Sequence, residues 1–312
     1  MMRTILYVVC LSAALSLLVS GAYAANVTVR CGHQGEGEDS FPSVSAALSH
    51  LNPSATNTIT VSGACNENVV IQGFDRLTLV ASPGASINDA SNGADWVVFI
   101  TDSHRVALQG FAVNGGGGGI ACFNNSLCRF AGNTIQNSMG DGLFVNSSQA
   151  ELNGDTIQNH AGRGLVLGQG SHARAIGESI VGNGASGIRL VNDGFLFALG
   201  NTINNNGFYG IRLTDHSSAQ MTDNTITGNA AGGVGLETSS EGHFSVSATG
   251  NVITGNAGNG VTISDLSFAN FDSPGNNISG NATQPDVACN PQTSAARGAL
   301  ANIGTGTTNC AQ

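Results

Sequence analysis

Two arginines 23 residues apart, Arg189 and Arg212, occupy the same place in a repeated tetrapeptide, Gly-Ile-Arg-Leu. In an extended chain such alternation turns Ile and Leu to one side and Arg to the other. Arg163 lies one repeat earlier, and Asp193, Asp215, His216 and Glu237 follow just beyond the same segments. Guanidinium groups held about one strand spacing apart, ~4.8 Å, repel unless an anion lies between them. Arg pairs well with the carboxylate of a uronic acid, and Glu or His can move protons. The stretch after Asp223 is longer than its neighbours, and the extra residues are expected between Glu237 and Phe244, in a loop carrying Glu241 and His243 that walls a groove beside Arg212. The binding candidates are therefore Arg189, Arg212, Asp215, His216, Glu237, Glu241 and His243, with no residue assigned a catalytic role. The expected partner is an acidic polysaccharide. The competing reading is a solvated face whose Arg–Glu pairs contribute little.

These residues are carried by a repeat. Similar segments begin at Gly132, Gly154, Gly177, Gly200, Asp223, Gly250 and Gly275, at intervals of 22, 23, 23, 23, 27 and 25 residues. A recurring period of this size marks a stacked-repeat architecture. Ile135, Ile157, Ile180, Ile203, Ile226, Ile253 and Ile278 form one apolar column. Leu143, Leu165, Ile188, Ile211, Val234 and Val261 form a second, and Val145, Leu167, Leu190, Leu213, Leu236 and Ile263, two residues further on, a third. The spacing of two is the strand period, so each repeat reads as one coil of a parallel β-helix, unable to bury its apolar face without neighbours. Two polar columns run between them: Asn133, Asp155, Glu178, Asn201, Asn224, Asn251, Asn276, and Ser138, His160, Asn183, Asn206, Asn229, Asn256, Asn281. Stacked amides at bends satisfy backbone groups along the axis, which outweighs a reading of these columns as a ligand track. His160 is read as a hydrogen-bonded structural histidine. The glycines at 142, 164, 187, 210, 233 and 260 are expected at bends requiring positive φ.

At the N-terminus, Arg3 precedes an apolar run from Ile5 to Val19 and then Ala22-Tyr23-Ala24, the pattern of a secretory signal peptide over 1–24. The run is short for a membrane span, and the mature chain is expected to insert no segment into a membrane. Without Arg3, nine Arg stand against 20 Asp and Glu, and there is no Lys. That balance argues against nucleic acid and anionic membranes, and the missing Lys excludes a P-loop and Schiff-base chemistry. Removing Cys10 with the leader leaves Cys31, Cys65, Cys122, Cys128, Cys289 and Cys310, an even number that reads as disulfides. Six cysteines allow 15 pairings; spacing favours Cys31–Cys65, Cys122–Cys128 and Cys289–Cys310. No cofactor and no metal are expected. Glu36, Glu38 and Asp39 could offer oxygens to Ca²⁺, but their spacing matches no calcium loop and reads as an exposed acidic segment.

Residues 41–51 have the one helical pattern, with Val44, Ala47, Leu48 and Leu51 on one face and Ser40 as a cap. Such a helix can cover the first coil, whose open edge would invite aggregation. Strands are expected at 58–61, 69–71, 77–80, 96–100 and 106–113, a flexible glycine turn at 115–119, and an irregular end from 285. The organisation is thus a leader (1–24), an N-terminal cap (25–57), a β-helix (58–284) and a C-terminal cap (285–312).

The Asn-Thr-Ile…Asn…Gly-Ile-x-Leu repeats resemble the right-handed parallel β-helix proteins of the pectate-lyase-like superfamily, in particular its broad secreted repeat group. Phe41…Ala46-Ala47-Leu48, Thr58-Ile59-Thr60-Val61 and Glu67-Asn68-Val69-Val70-Ile71 are similar to the start of pectin-methylesterase-like chains, and Arg105-Val106-Ala107-Leu108-Gln109-Gly110-Phe111 resembles a strand common to pectate lyases. The resemblance implies an all-β fold, a single-stranded right-handed parallel β-helix with a short N-terminal capping helix. It implies less about chemistry. The Asn-Thr-Asp, Asp-Asp, Gly-His-Gly and Arg-Ile-Lys segments of polygalacturonases and the Asp-Pro-His-Asp of alginate-acting relatives do not occur. The expectation is a secreted, non-catalytic polysaccharide-binding or surface module. The alternatives are a lyase, hydrolase or epimerase acting on uronic-acid glycans, and a structural adhesin or envelope protein.

Overall fold

The computed structural model describes residues 24–32, 40–244, 250–290 and 295–310. The expected leader and the acidic segment at 35–39 lie outside them. The chain forms a right-handed parallel β-solenoid. Each coil lays one strand in each of three sheets: a thirteen-stranded sheet A and ten-stranded sheets B and C. One coil runs through Leu143–Asn146 in sheet C, Gln149–Asn153 in sheet A and Thr156–Gln158 in sheet B, and the next begins at Leu165–Gly168 in sheet C.

The register follows the apolar columns. Ile135, Ile157, Ile180, Ile203, Ile226, Ile253 and Ile278 pair in line through sheet B, and all are fully buried. In sheet C, Leu167, Leu190, Leu213 and Leu236 pair in the same way. Deleting one of these side chains would cost about 2–5 kcal/mol, since neighbours fixed in stacked strands cannot collapse into the gap.

The polar columns are buried amide ladders. Asn206 Oδ1 accepts from the backbone N–H and side-chain amide of Asn183 (3.1 and 3.0 Å). Asn206 in turn donates by the same two groups to Asn229 Oδ1 and from Nδ2 to the Ile180 carbonyl. His160 takes one place in this ladder. Its Nδ1 accepts from the Ser138 N–H, so Nε2 carries the hydrogen that meets the Ile135 carbonyl, and burial holds its pKa down at about 4. Every Asn of both columns is buried and bonded within the stack, which leaves none for a ligand.

Several expectations are corrected. The column glycines are not positive-φ residues. At Gly164 a Cβ would lie 2.6 Å from both Ile180 Cγ2 and the Gly187 carbonyl oxygen, so lack of space demands glycine there. Positive φ belongs instead to four of the glycines that open repeats, Gly132, Gly154, Gly177 and Gly200. The helix α1 spans Val44–His50 and is capped by Ser43, not Ser40. The Glu67 carboxylate also accepts from the N–H groups of Val44 and Ser45, and α1 packs against the first strands of sheets A and C. Gly118 and Gly119 belong to a strand, Gly118–Phe123, rather than a flexible turn, because the Trp96 ring lies where a Gly118 side chain would be. The end is not wholly irregular: Val287–Cys289 and Ala295–Arg297 extend sheets C and A, and Ala299–Asn302 is helical.

The three disulfides Cys31–Cys65, Cys122–Cys128 and Cys289–Cys310 are present, with Cα separations of 5.0, 6.5 and 5.0 Å. Cys122 and Cys128 stand in the columns of Val145 and Ala150 and close one corner of a coil. No helix among the described residues is long and apolar enough to cross a membrane.

Two carboxyls interrupt the first ladder. Asp155 Oδ1 accepts from Asn133, its Oδ2 has no partner, and Glu178 accepts from the N–H groups of Gly154 and Asp155. Burial raises Asp155 to about 6; burial, then Asp155, raises Glu178 to about 8. Both groups hold protons to higher pH when folded. Their contribution is therefore complete below about pH 4 and falls as pH rises through those two values. Asp155→Asn should restore the amide pattern, raise stability at pH 8 by about 1–3 kcal/mol, and gain much less at pH 4. Urea titration at both pH values checks this, and an equal gain at both would contradict it.

Candidate functional site

The outward face of sheet C is ordered by the same register. Phe99, Ala121, Phe144, Val166, Arg189 and Arg212 follow one another in a single column. Five steps of about 4.8 Å carry it some 24 Å along the axis. Because the inward neighbours are fixed, these side chains point away from the core: Phe99, Phe144, Arg189 and Arg212 are half-buried, and the smaller Ala121 and Val166 are covered by their neighbours.

At the arginine end, each cation except one has a carboxylate. Asp141 takes Arg163 through Nε and Nη2 (2.9 and 2.8 Å). Glu237 takes Arg212 through Nε and Nη2 (3.1 and 2.6 Å), and the Arg212 guanidinium lies 5.1 Å from the Phe208 ring centre. Among the described residues Arg189 donates only to the Thr214 hydroxyl (3.0 Å), and its Nε is covered without a hydrogen-bond partner. Burial, then the like charges of Arg212 and Arg163, lower its pKa, against which Glu237 and Asp215 act weakly. A half-buried guanidinium between two cations, paired with no carboxylate, is a place where an oxyanion would be held by charge and hydrogen bonds together.

Asp215 and His216 lie on the turn that leaves this strand, both in left-handed conformation. Asp215 accepts from Thr214, the residue that Arg189 also contacts. His216 is exposed and makes no side-chain hydrogen bond to Arg189 or Arg212 among the described residues. Glu241 and His243 are not beside Arg212. They lie on Glu241–Phe244 of sheet A, where His243 meets Glu241 and Asp272. Ser218 pairs with Glu241, 23 residues on, whereas Thr225 pairs with Val252, 27 on. The four additional residues therefore fall between Phe244 and Val252, partly outside the described residues. The expectation failed because the repeat stays regular through Phe244, a register that length alone does not reveal.

The sequence reading missed the aromatic part of this face. Trp96, Phe99, Phe123 and Phe144 form an outward cluster with ring-centre distances of 5.1–6.3 Å. Tyr209 lies across Gly235, whose Cβ would sit 3.2 Å from the ring, and meets Phe208 edge-on at 4.9 Å. The available signal was alternation: Phe99 lies between the inward residues Val98 and Ile100.

A family model described as "right handed beta helix region" matches residues 54–180 and 118–283. The chain belongs to this family. Among solved structures, it resembles the A-module of the mannuronan C-5 epimerase AlgE4 from Azotobacter vinelandii (13% identity, TM-score 0.58, covering 81% of this chain and 87% of that one). It also resembles the pectate lyase Pel9A (12%, 0.58, 94% and 83%) and the periplasmic alginate epimerase AlgG (15%, 0.51, 68% of each). At these identities the likeness is one of fold. No curated protein matches the chain.

If Glu237 is the group that quenches Arg212, Glu237→Gln should free a cation at a stability cost of about 1–3 kcal/mol, since the pair is largely covered and doubly hydrogen-bonded. Uronate affinity should then rise. A fall in affinity, followed by calorimetry, would show that Glu237 positions Arg212 instead of competing for it.

Proposed function

We propose that this protein is an exported, non-catalytic module that binds an acidic polysaccharide along the outer face of sheet C. Arg189 carries the reading: it is the cation of the cluster left without a carboxylate, with an unsatisfied buried Nε. A uronate placed there would be shared with Arg212, while the aromatic cluster offers the hydrophobic face of a sugar a flat surface along the same column. Solved relatives named for mannuronan, pectate and alginate support this ligand class by analogy of fold. The disulfides and the leader pattern support export, with cleavage after Ala24, a cap before residue 58 and a second cap from 285.

The Arg189→Ala/Arg212→Ala double variant should stay folded and lose the sheet C share of its binding to polygalacturonate and alginate, read as a fall in stoichiometry, while wild-type affinity falls with salt because the contacts are charge-based. Calorimetry at two ionic strengths decides it. Salt-insensitive binding, or a double variant that binds as well as wild type, would overturn the reading, and release of unsaturated or reducing ends would replace it with an enzymatic one.

A further inference from the structure

A second cluster of arginines lies on the outward side of sheet A. Arg76, Arg105 and Arg129 come from successive coils, on the paired strands Asp75–Ala81, His104–Gln109 and Leu127–Ala131. They border a shallow concavity of about 430 Å³ that also reaches Thr56, Gln109 and Glu151. Thr56 borders it, and the segment just before Thr56 is fastened to the first of these strands: the Pro53 carbonyl accepts from the Asp75 N–H (2.8 Å) and the Ser54 carbonyl from Arg76 Nη2 (3.0 Å).

Three guanidinium groups share two carboxylates. Asp75 serves both Arg76 (3.0 Å) and Arg105 (2.6 Å), and Glu151 serves Arg129 (2.9 Å). The concavity is thus locally cationic in a chain whose net charge is −10. Arg105 engages Asp75 through Nε and Nη2, both on one carboxylate oxygen, so the rest of its five donors remain available. Arg76 and Arg105 also hold left-handed backbone conformations, at φ 60° and 55°, where a long side chain is uncommon. Glu151 stands between Arg129 and Arg174 in one column, with the Arg174 guanidinium 5.5 Å from the Phe197 ring centre and paired with no carboxylate among the described residues. An incoming anion can therefore take Arg129 while Glu151 turns to Arg174, at little cost because exposed ion pairs contribute about 0–1 kcal/mol.

We propose that this concavity is a separate binding site for the oxyanion group of an acidic oligosaccharide, with Arg105 and Arg129 as its principal donors and Glu151 as the group displaced. It lies on a different sheet from Arg189 and stands independently of the function assigned to that face.

The test is calorimetric titration of the full mature chain with trigalacturonate and, separately, with a sulfated chondroitin disaccharide; the arm that binds identifies carboxylate or sulfate as the anion. Arg105→Ala/Arg129→Ala should weaken this site roughly tenfold or more, about 1.4 kcal/mol per factor of ten. Glu151→Gln, a conservative surface change that keeps the test valid if the double variant misfolds, should strengthen it severalfold. Arg189→Ala/Arg212→Ala should leave it unchanged, so failure of the sheet C reading is seen separately. The proposal is overturned if neither sugar binds to the Arg189→Ala/Arg212→Ala protein, or if Glu151→Gln leaves that affinity unaltered.

Discussion

The buried side-chain amides of the two ladders in this solenoid depend on the coils beside them for their hydrogen bonds. Asn224, Asn251 and Asn276 each accept, through one oxygen, the backbone N–H and the side-chain amide of the preceding asparagine in the column. Leaving such donors unpaired away from water costs about 1–3 kcal/mol each. The ladder therefore fixes where each coil bends and, with the isoleucine column beside it, how each coil lies on the next. A one-residue slip would turn every inward side chain outward.

Everything on the surface inherits that register. Arg189 and Arg212 stand over one another because Leu190 and Leu213 do. The stack imposes the like-charge approach, and the chain answers it with Asp141 and Glu237, leaving Arg189 without a carboxylate. Sheet A presents its arginines by the same geometry, with Asp75 and Glu151 as partial counter-charges. The faces differ in what surrounds the cations: half-buried aromatic rings on sheet C, a walled and more exposed hollow on sheet A.

Much of the fold was legible in the sequence because its determinants repeat. The isoleucine, leucine and asparagine columns and the Arg189/Arg212 pairing follow from offsets within a period near 23, and the three cysteine pairs from joining neighbours in sequence. What did not repeat was not legible. The four extra residues after Phe244 could be counted but not located, and so Glu241 and His243 were assigned to the wrong face. The Gly164 column looked like a bend residue, whereas the reason for glycine is the Ile180 methyl group of the next coil, a contact between residues 16 apart. The Arg76, Arg105 and Arg129 cluster escaped notice because the early coils vary in length, so these arginines share no sequence offset.

The central claim is that the amide ladders hold the stack in register. Urea unfolding of Asn206→Ala tests it most directly. The substitution leaves two donors of Asn183 and the Ile180 carbonyl without their partner. The account predicts a loss of about 3 kcal/mol or more, with faster hydrogen exchange at the Asn183 amide. A loss within about 0.5 kcal/mol, the level of an ordinary surface substitution, would contradict it.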